Sequence, residues 1–238
     1  MKPYDNNREK GEQVREMFDA IAPRYDLLNR LMSMGIDRLW RRRLARMARR
    51  GNPLRILDVA TGTADMAILM ARRCPEAQIT GVDPSEGMLA VAAAKIARRG
   101  LEQRIALMSG SAEELDLPVE HFDATTVVFG VRNFSSIPDG LAAIARRLKR
   151  GGAIYILEFS VPKKRIFSYF YRRYFHRVVP ALGGWLSGDR SAYRYLPCSV
   201  DEFPATERFL KLMFEAGFGE CCAWRVFFGV ANIYRGVR

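Results

Sequence analysis

The stretch LRILDVATGTAD, residues 54–65, predicts the fold of this chain. Residues 54–60 form a short apolar run that is typical of a buried strand, and Thr61-Gly62-Thr63 form a turn after it. A helical pattern follows and extends through Arg73. A strand, a tight turn and a helix in this order are typical of parallel α/β sheets, whose ligands lie beside the first such turn.

The same alternation of strands and helices continues as far as residue 160. We predict further strands at residues 77–82, 104–108, 122–129 and 153–159. Near the end of the chain, a helix over 206–216 precedes two runs, 219–227 and 230–237, that flank Phe228-Gly229 and predict an antiparallel hairpin. The fold is therefore predicted to be α/β, a doubly wound, mostly parallel seven-stranded sheet with an antiparallel last strand.

A length of 238 residues and an apolar content of 49% suit a single domain with its own core. We divide the chain into a helical N-terminal cap (1–50), a cofactor-binding core (51–160), a lid insertion (161–205), and a C-terminal helix with the hairpin (206–238). The four cysteines and two histidines lack the spacing of metal ligands, so we expect no metal. A polar start and the lack of a long apolar window predict a reduced, cytoplasmic protein.

The net charge of +12 is concentrated in two stretches of the sequence. Residues 38–50 hold seven arginines and no acid, and residues 163–177 hold six basic residues and no acid. Such stretches fit an anionic partner, either nucleic acid or a membrane surface, and a merely solvated arginine face is the alternative. Residues 163–186 interleave their bases with aromatic residues, which is typical of a membrane-interface segment or of a lid packed on the core.

Two acidic residues indicate the kind of cofactor. Asp83 ends the second predicted strand, 21 residues after Gly62, where a carboxylate can accept hydrogen bonds from both ribose hydroxyls. Asp58 precedes the turn, where its charge would repel the pyrophosphate of a dinucleotide but suits the cationic cofactor S-adenosylmethionine. The glycine pattern of a dinucleotide site is also incomplete here, which again favours S-adenosylmethionine. The alternative is that Asp58 and Asp83 only cap their strands.

Several strings make the chain resemble a known family, the ubiquinone/menaquinone biosynthesis C-methyltransferases, and its menaquinone-making branch in particular. They are MFDAIAPRYDLLN (17–29), SMGIDRLW (33–40), ILDVATGTAD (56–65), FGVRNF (129–134), LKRGG (148–152), LEFSVP (157–162) and YRYLP (193–197). The resemblance implies a Rossmann-like class I methyltransferase fold with a cofactor contact at Thr63, a ribose contact at Asp83 and an adenine contact at Ser111-Ala112. It also implies methyl transfer to a ring carbon of a prenylated naphthoquinol.

Three positions depart from the pattern of that family. Ala64 stands where the family usually has glycine, Val128 where it often has serine, and Ser111 where it usually has asparagine or aspartate. We expect Ala64 to open the helix after the turn with an ordinary negative φ, so that it adds only a methyl group near the cofactor.

Candidate catalytic residues follow the fourth predicted strand. Methylation of a ring carbon requires a stabilised phenolate and later the loss of a proton. The permanent charge of Arg132 suits the phenolate, and Asn133 can orient a hydroxyl or a water molecule; an ion pair between Arg132 and Glu158 is the alternative. Tyr25 in the cap and Tyr193-Arg194 in the insertion would close over the ring, or would only pack the lid.

The predicted substrate is a lipophilic quinol, reached at the anionic inner face of the cell membrane, with no nucleic acid as partner. Three other interpretations stay open at this point: the same chemistry on a benzoquinol, an RNA methyltransferase that uses the basic stretches, and a non-catalytic relative that binds the cofactor. The sequence also leaves a homodimer open.

Overall fold

The computed structural model describes residues 2–4, 7–33, 35–162, 173 and 190–238. Its strands are β1 (Arg55–Val59), β2 (Gln78–Asp83), β3 (Ile105–Ser109), β4 (Phe122–Val128), β5 (Leu148–Phe159), β6 (Gly219–Val226) and β7 (Ala231–Val237). Its helices are α1 (Lys10–Ile21), α2 (Tyr25–Met32), α3 (Asp37–Ala48), α4 (Asp65–Arg73), α5 (Glu86–Ala97), α6 (Ile137–Arg147), α7 (Arg190–Asp201) and α8 (Thr206–Glu215).

The strands form one seven-stranded sheet in the order β3-β2-β1-β4-β5-β7-β6. Strands β1 to β5 are parallel, and β7 runs antiparallel between β5 and β6. The predicted doubly wound sheet with an antiparallel end is therefore confirmed. The winding reverses between β1 and β4, which is where open α/β sheets bind their ligands.

Helices cover both faces of the sheet and bury two apolar clusters. Leu44 of α3 and Met70 of α4 pack on one face, around Ile79 of β2. Leu141 of α6 and Phe209 of α8 pack on the other face. Because both faces are covered, the central strands are apolar on both sides, and this explains the unbroken apolar runs in the sequence.

The N-terminal helices α1 and α2 pack on α5 through a third cluster, which includes Val14, Met17, Leu28 and Met88. No helix in the described ranges is long and apolar enough to cross a bilayer.

Helices α2 and α7 are present although the sequence did not predict them. Pro23 precedes α2 in a short 3-10 turn, and Pro197 lies inside α7. Proline is tolerated just before a helix, as Pro23 is, but it usually breaks or kinks a helix interior, where Pro197 lies as the eighth residue of α7. Strand β5 also begins earlier than predicted, because Leu148 pairs with Phe122 before the register shifts. The predicted irregular segment 161–187 lies almost wholly outside the described residues.

Candidate active site

A cavity of about 340 Å³ opens at the carboxyl edge of the parallel strands. This volume is within the range of ~300–1,000 Å³ that is typical of small-molecule sites. Its walls come from the turns after β1, β2, β3 and β4 and from α1. Of the residues predicted from the sequence, those that line it are Gly62, Asp83, Ser111, Ala112, Tyr25 and Asn133.

The turn after β1 has an unusual backbone. Ala60, Gly62 and Ala64 have φ values of 52°, 54° and 62°, all in the left-handed region. The expectation that Ala64 takes a negative φ was therefore wrong. It precedes α4 as its N-cap in a conformation that favours glycine, and its amide donates to Thr61 O at 2.9 Å. The alanine methyl group costs the turn stability instead of only occupying space.

Asp58 lies behind this turn and does not line the cavity. Its carboxylate is 1% exposed and accepts hydrogen bonds from the hydroxyls of Thr61 at 2.7 Å and Thr126 at 2.5 Å. Burial raises the pKa of this carboxyl above its ordinary value. In this geometry Asp58 holds the turn through Thr61, and any effect of its charge on a ligand acts across the turn.

Asp83, at the end of β2, does line the cavity. One carboxylate oxygen accepts from the amide of Gly62 at 2.8 Å, and the other accepts from the amide of Ser85 at 3.0 Å. Burial raises the pKa of this carboxyl to about 6. Each oxygen can accept a further hydrogen bond, so a pair of ligand hydroxyls suits this carboxylate.

The side chain of Thr63 is buried beneath the turn and does not line the cavity. Its hydroxyl donates to Asp26 Oδ1 at 2.6 Å and accepts from Lys95 Nζ at 3.0 Å. Lys95 Nζ also donates to Asp26 Oδ2 at 2.7 Å and to Asp65 Oδ1 at 2.6 Å. Sequence reasoning missed this cluster, in which Lys95 joins α2, the turn, α4 and α5.

One wall of the cavity belongs to α1, which the sequence analysis did not assign to the site. Gly11, Val14, Arg15 and Phe18 line it. Their spacing of three, four and seven residues places them on one face of the helix. That spacing is visible in the sequence and could have predicted that α1 lines the cavity. Lys10 fastens α1 to the edge of β4, because its Nζ donates to the carbonyl oxygens of residues 132 and 134 at 3.1 and 2.8 Å.

Arg132 and Asn133 lie in the 3-10 turn after β4. Arg132 Nη1 donates to Glu158 Oε1 at 2.7 Å and to Phe129 O at 2.6 Å, so the ion pair considered as an alternative is present. The guanidinium is 8% exposed and does not line the cavity. Asn133 lines it, and its buried Oδ1 has no hydrogen-bond partner among the described residues.

Tyr25 lines the cavity and packs edge-on against Phe18, with ring centroids 6.0 Å apart. Burial raises the pKa of its phenol. The backbone of Tyr193-Arg194 lies in α7, but their side chains lie outside the described part of the chain, as does the basic and aromatic segment 163–186 apart from residue 173.

Val128, where the family often has serine, also lines the cavity and presents methyl groups to it instead of a hydroxyl. In the described ranges, no three His, Cys, Asp or Glu residues converge as metal ligands.

Solved structures with the same fold carry different chemistries. The [4+2]-cyclase SpnF matches with a TM-score of 0.66 and 18% identity, over 96% of each chain. A SAM-dependent methyltransferase of Thermotoga maritima matches with a TM-score of 0.64 and 19% identity, over 94% of this chain and 99% of that one. These similarities show the fold alone.

Curated relatives are much closer in sequence. The ubiquinone/menaquinone biosynthesis C-methyltransferase UbiE of Geobacter sulfurreducens is 46% identical over 229 residues, 96% of this chain and 89% of the relative. The demethylmenaquinone methyltransferase of Thermus thermophilus is 47% identical over 222 residues, 93% of this chain and all of the relative. A family model described as the ubiE/COQ5 methyltransferase family matches residues 6–238. With its fold, cavity and these relatives in agreement, the chain belongs to the ubiE/COQ5 methyltransferase family.

Proposed function

We propose that this protein transfers a methyl group from S-adenosylmethionine to a ring carbon of a prenylated naphthoquinol, converting a demethylmenaquinol into a menaquinol. S-adenosylhomocysteine leaves with the electron pair of the broken S–CH3 bond, and the methylated ring carbon loses its proton to restore aromaticity. One observation carries the proposal: a single cavity joins the Asp83 carboxylate and the Gly62 turn to Asn133 and Tyr25. A cofactor at the first pair of residues therefore faces a substrate at the second pair. The names of the curated relatives supply the substrate class.

The residues at the β1–β2 edge fit S-adenosylmethionine. Asp83 has acceptor positions left for two ribose hydroxyls, and Ser111-Ala112 after β3 would border the adenine. Asp58 lies behind the turn and holds it through the hydroxyl of Thr61. When bound, S-adenosylmethionine supplies an electrophilic methyl group on sulfur.

At the other end of the cavity the protein binds and orients the ring. Phe18 and Phe129 give apolar walls, which suit a flat bicyclic quinol, whereas Phe134 lies beside Ala112. The Oδ1 of Asn133, which has no partner in the described part of the chain, accepts a hydrogen bond from a ring hydroxyl, and this places the neighbouring carbon toward the cofactor. Arg132 holds the turn through Glu158 and Phe129, so we assign it a positioning role for Asn133 rather than contact with the phenolate.

A lipophilic quinol resides in a bilayer, so the proposal includes a cytoplasmic protein that meets its substrate at the inner face of the membrane. Acceptance of a benzoquinol remains the nearest alternative, because several relatives carry a name that covers both quinones. A homodimer, which the sequence leaves open, stays an expectation.

The proposal is tested by transfer of labelled methyl from S-adenosylmethionine to reduced demethylmenaquinone in detergent. A demethylated benzoquinol and bulk RNA serve as parallel acceptors. We expect label in the naphthoquinol, and we expect Asn133→Ala to lower its turnover while cofactor binding persists. Cofactor binding without label in either quinol would refute the proposal, and label in RNA would replace it with the nucleic-acid alternative.

A further inference from the structure

A second cavity lies at the amino ends of the parallel strands, at the edge of the sheet opposite the active-site cavity. Its volume is about 770 Å³, again within the range of ~300–1,000 Å³ that is typical of small-molecule sites. It is bordered by the last turn of α3 and the residues after it, by the starts of β4 and β5, and by β6 and β7. Among the described residues the two cavities share none, so the methyl-transfer site does not account for this one. We call it the amino-edge cavity.

The floor of the amino-edge cavity is a face of the sheet beside the end of α3. Ala124 of β4 pairs with Ala153 of β5, and Tyr155, two residues further along β5, pairs with Arg235 of β7. Paired residues point to the same face of a sheet, as do residues two apart on one strand. All four line the cavity, and so does Ala48, the last residue of α3. Because two of the floor residues are alanines and the helix ends there, the sheet keeps an open space on this face.

The carboxylate of Asp123 lines the amino-edge cavity, but its charge is already bound inside the protein. Asp123 Oδ1 accepts from Lys149 Nζ at 2.5 Å, and Oδ2 accepts from the amides of residues 54 and 55 at 2.9 and 2.8 Å. Lys149 lines the cavity as well, so this pair adds no net charge to it. The charge of the cavity is therefore decided by its arginines.

Three arginines line the amino-edge cavity. Arg235 Nη1 lies 3.4 Å from a carboxylate oxygen of Glu220, whose side chain is 74% exposed, so that pair is a weak one. Arg50, just after α3, and Arg150, in β5, are exposed and form no ion pair with any residue that the structure describes. Two guanidinium groups are thus available to an anion, and a guanidinium binds phosphate through two parallel N–H groups.

Aromatic rings line the same cavity as these arginines. Tyr155 is 7% exposed, and Trp224 of β6 packs half-buried against the cluster that contains Tyr155. Trp224 lies two residues after Cys222, which pairs with Arg235, so the indole is on the same face of the sheet as that arginine. A nucleobase stacks on such rings through its flat face. Rings and free guanidinium groups in one cavity suit a ligand that carries both a flat ring and phosphate groups.

We propose that the amino-edge cavity binds a nucleoside phosphate. The base packs against Trp224 and Tyr155, and the phosphates bind Arg50 and Arg150. A free nucleotide fits better than a nucleic-acid strand, because a strand requires a groove that continues across several nucleotides. The site is separate from methyl transfer, since the cofactor and the quinol occupy the cavity at the other edge of the sheet.

The test is calorimetric titration of the full chain with ATP at low salt. S-adenosylhomocysteine is present in excess to fill the cofactor site, so that adenosine binding there is not counted. Inorganic triphosphate and a short single-stranded RNA are titrated in parallel. The variant is Arg50→Gln/Arg150→Gln, and the matched control is Arg42→Gln/Arg43→Gln, which removes two exposed arginines of α3 that do not line the cavity. Thermal unfolding is measured on all three proteins.

We expect ATP to bind wild type and the control equally, and to bind the Arg50/Arg150 variant about tenfold to hundredfold more weakly at an unchanged Tm. Inorganic triphosphate should bind wild type about fivefold to hundredfold more weakly than ATP, because it lacks the ring. No binding of ATP, or equal binding to all three proteins, would overturn the proposal and leave a merely solvated arginine face. Equal affinity for ATP and inorganic triphosphate, or arginine-dependent binding of RNA without binding of ATP, would also overturn it.

Discussion

Lys95 gives the sharpest stability prediction, because its buried amine is shared by two carboxylates. Lys95 itself is 5% exposed at the side chain, whereas Asp26 is 33% and Asp65 is 45% exposed. Lys95→Met removes the cation and keeps most of the apolar stem. The expected cost is about 2–3 kcal/mol, below the ~3–5 kcal/mol of a fully buried pair because water still reaches both carboxylates. In a chain of this size, that is a fall in Tm of about 5–10 °C.

The pH dependence of this loss separates lost charge pairing from lost packing. Burial is the largest single influence and raises the pKa of the Asp65 carboxyl, but the charge and hydrogen bond of Lys95, with the charges of Arg41 and Arg30, together outweigh it, and the pKa lies below its ordinary value. The pairing therefore stabilises the fold above the ordinary pKa of about 4 and fades as the pH falls through the lowered pKa. Without Lys95, its charge and its hydrogen bond no longer offset burial, so the pKa of the Asp65 carboxyl rises from its wild-type value, and the loss of stability is smaller in acid than at neutral pH.

The assay is urea unfolding of wild type and Lys95→Met at pH 7 and at pH 3, which is below the ordinary pKa of an aspartate of about 4. We expect the difference in the free energy of unfolding to be larger at pH 7. A triple variant that adds Asp26→Asn and Asp65→Asn should recover part of the loss, because it leaves no unpaired charge. A difference within about 0.5 kcal/mol, or one that is the same at both pH values, would refute the reasoning.

Three further predictions concern the cavity and its support. Ala64→Gly should raise the free energy of unfolding, measured in urea, by about 0.5–1 kcal/mol, because glycine relieves the left-handed φ. The control Ala71→Gly, inside α4, should lower that free energy by a similar amount, and a lower free energy of unfolding in both variants would contradict the prediction. Affinity for S-adenosylmethionine should weaken as the pH falls below about 6, because ribose hydroxyls donate to the ionised form of Asp83, and in calorimetry Asp83→Asn should bind weakly with no such pH dependence. Glu158→Gln should cost about 3 kcal/mol or more in urea unfolding, because it leaves the buried Arg132 without its anion; near wild-type stability would argue against the pair as support of the turn.

The strands were predictable because their signals are local. Each parallel strand is an apolar run closed by a turn residue, and the hairpin is marked by Phe228-Gly229. Helices α2 and α7 were not predictable in this way, because each is associated with a proline and gains its stability from packing. The backbone of Ala64 was misjudged because its conformation depends on the hydrogen bond from its amide to Thr61, which composition does not reveal.

Within the site, residues that present backbone or carboxylate groups at strand ends were easier to place than those that act through distant partners. Gly62 and Asp83 line the cavity as their positions after β1 and β2 imply. Thr63 occupies the predicted turn, but its hydroxyl points to Asp26, 37 residues away in sequence. Gly62 and Thr63 are neighbours in the same turn. A local sequence pattern therefore cannot show that Gly62 lines the cavity while the side chain of Thr63 turns away from it.

The two carboxylates of the string MFDAIAPRYDLLN explain why the N-terminal cap belongs to the cofactor site. Asp19 Oδ1 accepts from Ser85 Oγ at 2.6 Å and from the amide of Gly87 at 2.9 Å, just after Asp83. A side chain at Gly87 would come within 3.2 Å of the Asp19 backbone, so glycine permits this approach. Asp26 holds the other turn through Thr63 and Lys95.

The cap therefore contacts both turns that would hold the cofactor, while its other face, through Phe18 and Tyr25, lines the substrate end of the same cavity. A displacement of the cap would change the cofactor turns and the ring-binding wall together, since the same two helices support both. It follows that substitutions at Asp19 or Asp26 should lower affinity for cofactor and for quinol in parallel, although neither side chain lines the cavity. Loss of affinity for only one of the two ligands, measured by calorimetry for the cofactor and by KM for the quinol, would show that the cap supports one end of the site alone.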